Sequence, residues 1–339
     1  LTDVTGVQTC ALPICACFYV YRLTMGSHTQ TGIVAAASVE AYDTNRIRKH
    51  EFTRPNKEDD RVRQIEALSA QTGPVFLVYR SQSEVDSLLA RTADSAPEVD
   101  ITAADGVRHQ LWVLDDREAI GRLMQCFDEM PALYVADGHH RSAAAARVAA
   151  ADGVVEGSPG ERARDYFLSV IFPHDQVQIL DYNRVVRDLN DLGREQLLES
   201  IGERFTVEPS GVPVKPRVGG EYGMYLPGQW YRLTVAPARI PLDDPVQRLE
   251  VSSLANELLH PILGIADQRT DNRIDFVGGI RGLDGLQARV DSGEMAVAFA
   301  IRPTDVEALM AVADAGEVMP PKSTWFEPKL ADGLVSHLL

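Results

Sequence analysis

Short apolar runs alternate along this chain with stretches of helical spacing, and turn-forming dipeptides separate most of them. Residues 18–23 and 31–39 are strand-like, with Gly26-Ser27 as the hairpin turn between them. A charged stretch, 43–70, follows. Within it Val62, Ile65 and Leu68 recur at helical spacing, which predicts a helix over 56–70. Residues 75–79 are uniformly apolar, as in a buried strand, and 83–93 have a helical pattern. Asp105-Gly106 between apolar runs 99–103 and 107–114 is a strong hairpin signal. A helix over 116–130, a strand over 132–136 and a helix over 139–151 complete this half.

Residues 152–160 are rich in Gly, Ser and Pro and mark a boundary. Beyond them, strands are expected at 166–172 and 176–182, a helix at 194–204 and a hairpin from 223–226 and 230–235. A long amphipathic helix is expected over 244–259. The tail continues as strand 274–277, a helix from 283, strand 295–301 and helix 304–315. Hairpins mixed with crossovers argue for an α+β fold with mixed sheets. The expected organisation is an α+β domain over 15–155 and a second α+β domain over 156–339. Residues 4–14 resemble the in-frame translation of a sequencing adapter, so 1–14 are expected to be foreign and the native N-terminal segment lost.

The length of 339 residues allows two domains, and no apolar run approaches the ~20 residues of a membrane span. The net charge of −16 opposes nucleic acid and anionic lipid. Any bound phosphate must therefore be held by a local cluster of donors against that field. Cys10, Cys15 and Cys17 crowd the start without completing a zinc pattern, and Cys126 falls in an amphipathic helix as a buried, inert thiol. This usage fits a reducing cytoplasm.

The strongest chemical signal is Leu133 to Arg147. An apolar strand ends at Asp137-Gly138, and a helix starts at once with His139, His140 and Arg141. Unpaired amides at a helix start, next to a forked guanidinium, suit a phosphate. The competing reading makes Asp137 a simple N-cap with solvated imidazoles. The run from Lys49 to Arg61 offers Glu51 as a base and Arg54, Lys57 and Arg61 as cationic contacts; a solvated helix with internal ion pairs is the alternative. A proline-stiffened loop, 319–329, carries Lys322 and Lys329 beside Trp325 and Phe326, as a phosphate cover or a packing loop.

Together, Lys-His-Glu-Phe-Thr-Arg-Pro, Ala-Asp-Gly-His-His-Arg and Pro-Pro-Lys-Ser-Thr-Trp-Phe-Glu-Pro-Lys resemble the domain of unknown function 1015 family over residues 18–339. The strand, Asp-Gly-His-His-Arg turn and helix are also similar to the phosphate-binding turn of the ParB/sulfiredoxin superfamily. His139 stands where sulfiredoxins carry cysteine, and the acidic chain lacks the basic domain of ParB proteins. The branch of small-molecule kinases, which includes free-serine kinases, remains. This resemblance implies transfer of phosphate from ATP or ADP, with Mg²⁺, to a small hydroxylated metabolite. On that expectation Asp137, Gly138, His139, Arg54, Lys57 and Lys322 hold phosphate, and Asp137 also contacts Mg²⁺. His140 and Arg141 offset charge on the transferred group, and Glu51 takes the substrate proton. A regulatory module that binds nucleotide without turnover is the first alternative. A metal-dependent hydrolase using Asp137, His139 and His140 is the second. The sequence implies no nucleic-acid or membrane partner and leaves the oligomeric state open.

Overall fold

The computed structural model describes residues 7–8, 17–151 and 162–339. The expected boundary loop 152–160, Cys10, Cys15 and most of 1–14 lie outside the described residues. Two compact units divide the chain, Leu1–Gln178 with Pro328–Leu339, and Ile179–Glu327. Both mix helices with sheets, and the fold class is α+β.

The main sheet of the first unit is built from β1 (Phe18–Met25), β2 (His28–Ser38), β3 (Ile47–Arg48), β4 (Val75–Tyr79), β5 (Val99–Thr102), β6 (Arg108–Leu114), β7 (Leu133–Asp137) and β8 (Tyr166–Pro173). They form one sheet in the order β3-β7-β4-β8-β2-β1-β6-β5. The pairs β3/β7 and β4/β8 are parallel, while β4/β7, β8/β2, β2/β1, β1/β6 and β6/β5 are antiparallel. This is the mixed pattern expected of hairpins joined to crossovers. The central position of β4 explains its unbroken Val-Phe-Leu-Val-Tyr run, since every residue of it is buried.

Five helices accompany this sheet: α1 (Val39–Asp43), α2 (Pro55–Leu68), α3 (Ser83–Thr92), α4 (Arg117–Glu129) and α5 (His139–Ala151). Ser38 caps α1 by accepting from Ala41 N–H at 3.2 Å, and Asp116 caps α4 by accepting from Ala119 N–H at 2.7 Å. Proline opens α2, where its missing N–H costs nothing, and Ser69 ends it in the left-handed conformation with φ of 48°. Along α5, Ala144 and Ala145 are fully buried, so the run of alanines is a slim packing face. Ile65 of α2 packs on Ala144 and Val148 of α5. Arg147 strengthens the same contact through Glu58 at 3.2 Å and Asp59 at 2.7 Å. The charged helix expected near 56–70 is thereby docked on α5. Cys126 is buried, and burial pushes its thiol pKa up, as an inert thiol requires.

The second unit is built on an antiparallel sheet of six strands: β9 (Tyr182–Val186), β10 (Phe205–Ser210), β11 (Glu221–Leu226), β12 (Gln229–Val235), β13 (Ile274–Gly278) and β14 (Val297–Ile301). Their order is β10-β12-β11-β14-β9-β13. Val185, Leu286, Val290 and Ala298 belong to its core. The long helix expected over 244–259 is shorter here. Only Glu250–Leu254 is α-helical, followed by a π-helical turn, Ala255–Leu259. Asp244 caps a first turn, its carboxylate accepting from Val246 and Gln247 N–H at 2.8 and 2.9 Å and its carbonyl from Arg248 N–H at 3.1 Å. Leu249 is then extended, with ψ of 141°, which breaks the ladder and delays the α-helix to Glu250. Among the described residues, no helix is long and apolar enough to cross a membrane.

Candidate functional site

Strand β7 anchors the turn, because Tyr134, Val135 and Ala136 are buried and hold its end in place. Gly138 follows with φ of 99°, a conformation that disfavours any side chain. A Cβ at Gly138 would also lie 3.3 Å from Val75 Cα on β4. Arg141 and Ser142 N–H both donate to the Gly138 carbonyl, at 2.8 and 3.1 Å. The amides before them stand outside the helical ladder, as at any helix start.

The non-helical stretch 49–54, between β3 and α2, lies over this helix start. Arg54 N–H donates to His140 Nε2 at 3.1 Å. That bond requires an open lone pair on Nε2, which places the proton of the neutral ring on Nδ1. Glu51 Oε2 stands 3.8 Å from His139 Nδ1. The His50 and His139 rings meet edge to face, with centroids 4.4 Å apart and planes at 87°. Glu51, Arg54, His139 and His140 are therefore gathered at one place from two distant parts of the chain.

Electrostatics at the turn follow from this gathering. Burial lowers the His139 pKa to about 3, with His140 and Lys49 adding to the effect. His140 is also lowered, first by burial, with Glu58 opposing and Arg54, Lys57 and Arg61 reinforcing. Burial lowers His50 well below the usual histidine value, and the neighbouring His139 adds to this. All three imidazoles are neutral near pH 7. Burial alone would raise the Asp137 carboxyl, but Lys329 and Arg141 outweigh it and hold the group below its ordinary value. Lys329 Nζ lies 3.2 Å from Asp137 Oδ2. One Arg141 donor goes to the Pro74 carbonyl at 2.6 Å, which fixes the guanidinium beside the turn.

Lys322 belongs to the second unit, where its ammonium lies over the Tyr182 ring at 5.4 Å. Of the two lysines in loop 319–329, it is Lys329 that the first unit brings to Asp137. Three residues at the turn were not singled out for the site from sequence. Lys329 was visible as the second lysine of its motif. His50 was visible only as the neighbour of Glu51. Phe52, an aromatic inside a charged run, is 75% exposed next to Glu51. An exposed aromatic of this kind offers a planar face on which another ring can stack.

The family described as protein of unknown function (DUF1015) matches residues 15–252. The chain belongs to this family. Comparison of the DUF1015 chain with curated protein sequences gives no match. Among solved structures it is similar to a free serine kinase in complex with AMP, at 13% identity and a TM-score of 0.43, over 89% of this chain and 90% of that one. It is similar to a conserved hypothetical protein from Pyrococcus furiosus at 13% identity and a TM-score of 0.41, over 89% and 93% of the two chains. SbnI with a C-terminal truncation, from Staphylococcus aureus, gives 12% identity and a TM-score of 0.45, over 88% and 85%. Likeness at this level assigns no activity to the DUF1015 chain.

Proposed function

We propose that this chain binds a nucleotide at the Asp137–Arg141 turn and transfers a phosphoryl group from it to a small hydroxylated metabolite. The observation that carries the reading is the local concentration of cations. In a chain of net charge −16, Lys49, Arg54, Lys57, Arg61, Arg141 and Lys329 all act on the three ionisable groups of one turn. Such a concentration of cations around helix-start amides is what a polyphosphate needs.

In this reading the amides near His139 cradle the phosphates, and Arg141, Arg54 and Lys57 offset charge on the transferred group. Neutral His140 holds the 49–54 stretch in place through Arg54 N–H and presents Nδ1–H as a donor. Phe52 stacks on the base. Glu51 takes the proton of the acceptor hydroxyl as its oxygen forms the new P–O bond and the nucleotide leaves with the old one. Mg²⁺ would arrive with the nucleotide, needing only one or two protein carboxylates; Asp137 would hold it in competition with Lys329.

Calorimetry with ATP and ADP in the presence of Mg²⁺, followed by phosphorus NMR of mixtures with hydroxylated metabolites, tests the proposal. Free serine is the first acceptor to try. Binding that is lost on Arg141→Ala, with a phosphorylated product from one acceptor, is the expected result. Absence of nucleotide binding at millimolar concentration overturns it.

A further inference from the structure

We propose that His50, Glu51 and His139 form a binding site for a divalent first-row transition metal ion of the zinc class. This goes beyond the phosphotransfer reading and does not depend on it. Each of the three residues offers one ligand atom, and these atoms all lie within 4.8 Å of one another. Small side-chain movements bring such a set to the ~2 Å metal–ligand distances of an imidazole–carboxylate site.

The burial pattern is the second, independent argument. His50 is 1% exposed and His139 4% exposed, yet among the described residues both His50 ring nitrogens and His139 Nε2 lack a hydrogen-bond partner. A buried polar nitrogen without a partner has lost its hydration with nothing in return, so three on two touching rings are a large desolvation cost for mere packing. A metal ion accepts the lone pair of each ring and removes part of that cost.

Neutral imidazole is the form that binds metal, so binding releases any proton the rings carry. Glu51 is more than half exposed, at 54%, so its carboxylate closes the solvent side and leaves an entry path. Two nitrogens and one carboxylate oxygen favour zinc or its neighbours over Mg²⁺, which prefers oxygen throughout. Three protein ligands also leave a position open for water or a substrate oxygen. Coordination through one oxygen of Glu51 leaves the other to accept a proton. Lys49 and His140 act on the His139 ring and Asp137 on the His50 ring, so the Lys49 cation opposes the ion while the Asp137 carboxylate favours it.

The test is made on the full chain, stripped with a chelator and titrated with Zn²⁺ against a chromophoric competitor, then with Co²⁺ by visible absorption. We expect one Zn²⁺ per chain, at least a tenfold weaker site in Glu51→Gln and in His139→Gln, and Co²⁺ ligand-field bands that change in Glu51→Gln. The half-exposed Glu51 keeps the test valid if His139→Gln unfolds. Substoichiometric Zn²⁺, affinity unchanged in Glu51→Gln, or intense thiolate charge-transfer bands that place Co²⁺ on cysteine would each overturn the site. Calorimetry with ATP or ADP on the stripped chain reads the phosphotransfer proposal separately. Nucleotide binding without a zinc site sinks this inference alone.

Discussion

At the scale of single residues, protonation state decides what the turn offers a ligand. Glu51 stands beside a neutral His139, so its role as a base draws no help from an imidazolium. We expect Glu51→Gln to lower kcat by about 10²–10⁴-fold while nucleotide affinity, read by calorimetry, stays within a few-fold. A second prediction concerns acid. His109 is buried, its pKa is lowered chiefly by burial, and its Nδ1 shares a 2.7 Å hydrogen bond with Tyr21 Oη. His50 and His139 are lowered for the same first reason. These groups take up protons in the unfolded chain near 6.5 but not in the folded one. Stability is therefore greatest above pH 6.5 and falls as pH drops from there, continuing toward the His139 value of about 3. Urea unfolding of the chelator-treated protein at stepped pH should show midpoints that decline below pH 6.5. His109→Gln should flatten part of that decline, and an unchanged slope would remove His109 from the account.

At the scale of elements, the turn depends on a strand end and a helix start that tolerate little added volume. Gly138→Ala meets both a positive φ and the Val75 backbone. We expect it to cost about 1–3 kcal/mol in urea unfolding and to weaken nucleotide binding more than its stability loss explains. Behind the turn, Ala144 is fully buried against Ile65. Ala144→Leu should overpack the α2–α5 contact at about 1–3 kcal/mol and displace the Arg54–His140 bond, detectable as a shifted His140 NMR titration. Most of these elements were legible beforehand, because strand β4 and helices α2 and α5 declare themselves by period and by Pro and Gly punctuation. Helix 244–259 was not. Its periodicity starts at Asp244, but only the folded geometry shows Leu249 extended, which splits a capped first turn from the helix that follows.

At the scale of the molecule, cations cluster at one turn of an acidic chain, interleaved with Glu51, Glu58 and Asp137. Nucleotide affinity should then fall with added salt, since exposed cations beyond a screening length of about 10 Å at 0.1 M contribute little. Exposed Arg54 and Lys57 should supply much of that dependence. In the Arg54→Ala, Lys57→Ala double variant, titrations over a salt series should give weaker binding and a shallower slope. An unaltered slope would place the phosphate elsewhere.

The chain's own order of residues determined the local facts about this site. Asp137-Gly138 had to be a tight turn, because the apolar run stops there and only glycine suits the positive φ. The alanine run had to be a packing face, because nothing else fits small residues at that density. Pairing across distance is a different matter, since periodicity carries no information on which segments meet. Tertiary structure alone brought the 49–54 stretch onto the start of α5, set His50 against His139, and selected Lys329 as the partner of Asp137. Glu51 and His139 lie far apart in the sequence, and folding brings Glu51 Oε2 to 3.8 Å from His139 Nδ1. Sheet closure and helix packing, driven by apolar burial, decide those contacts, and the polar chemistry of the turn is their consequence.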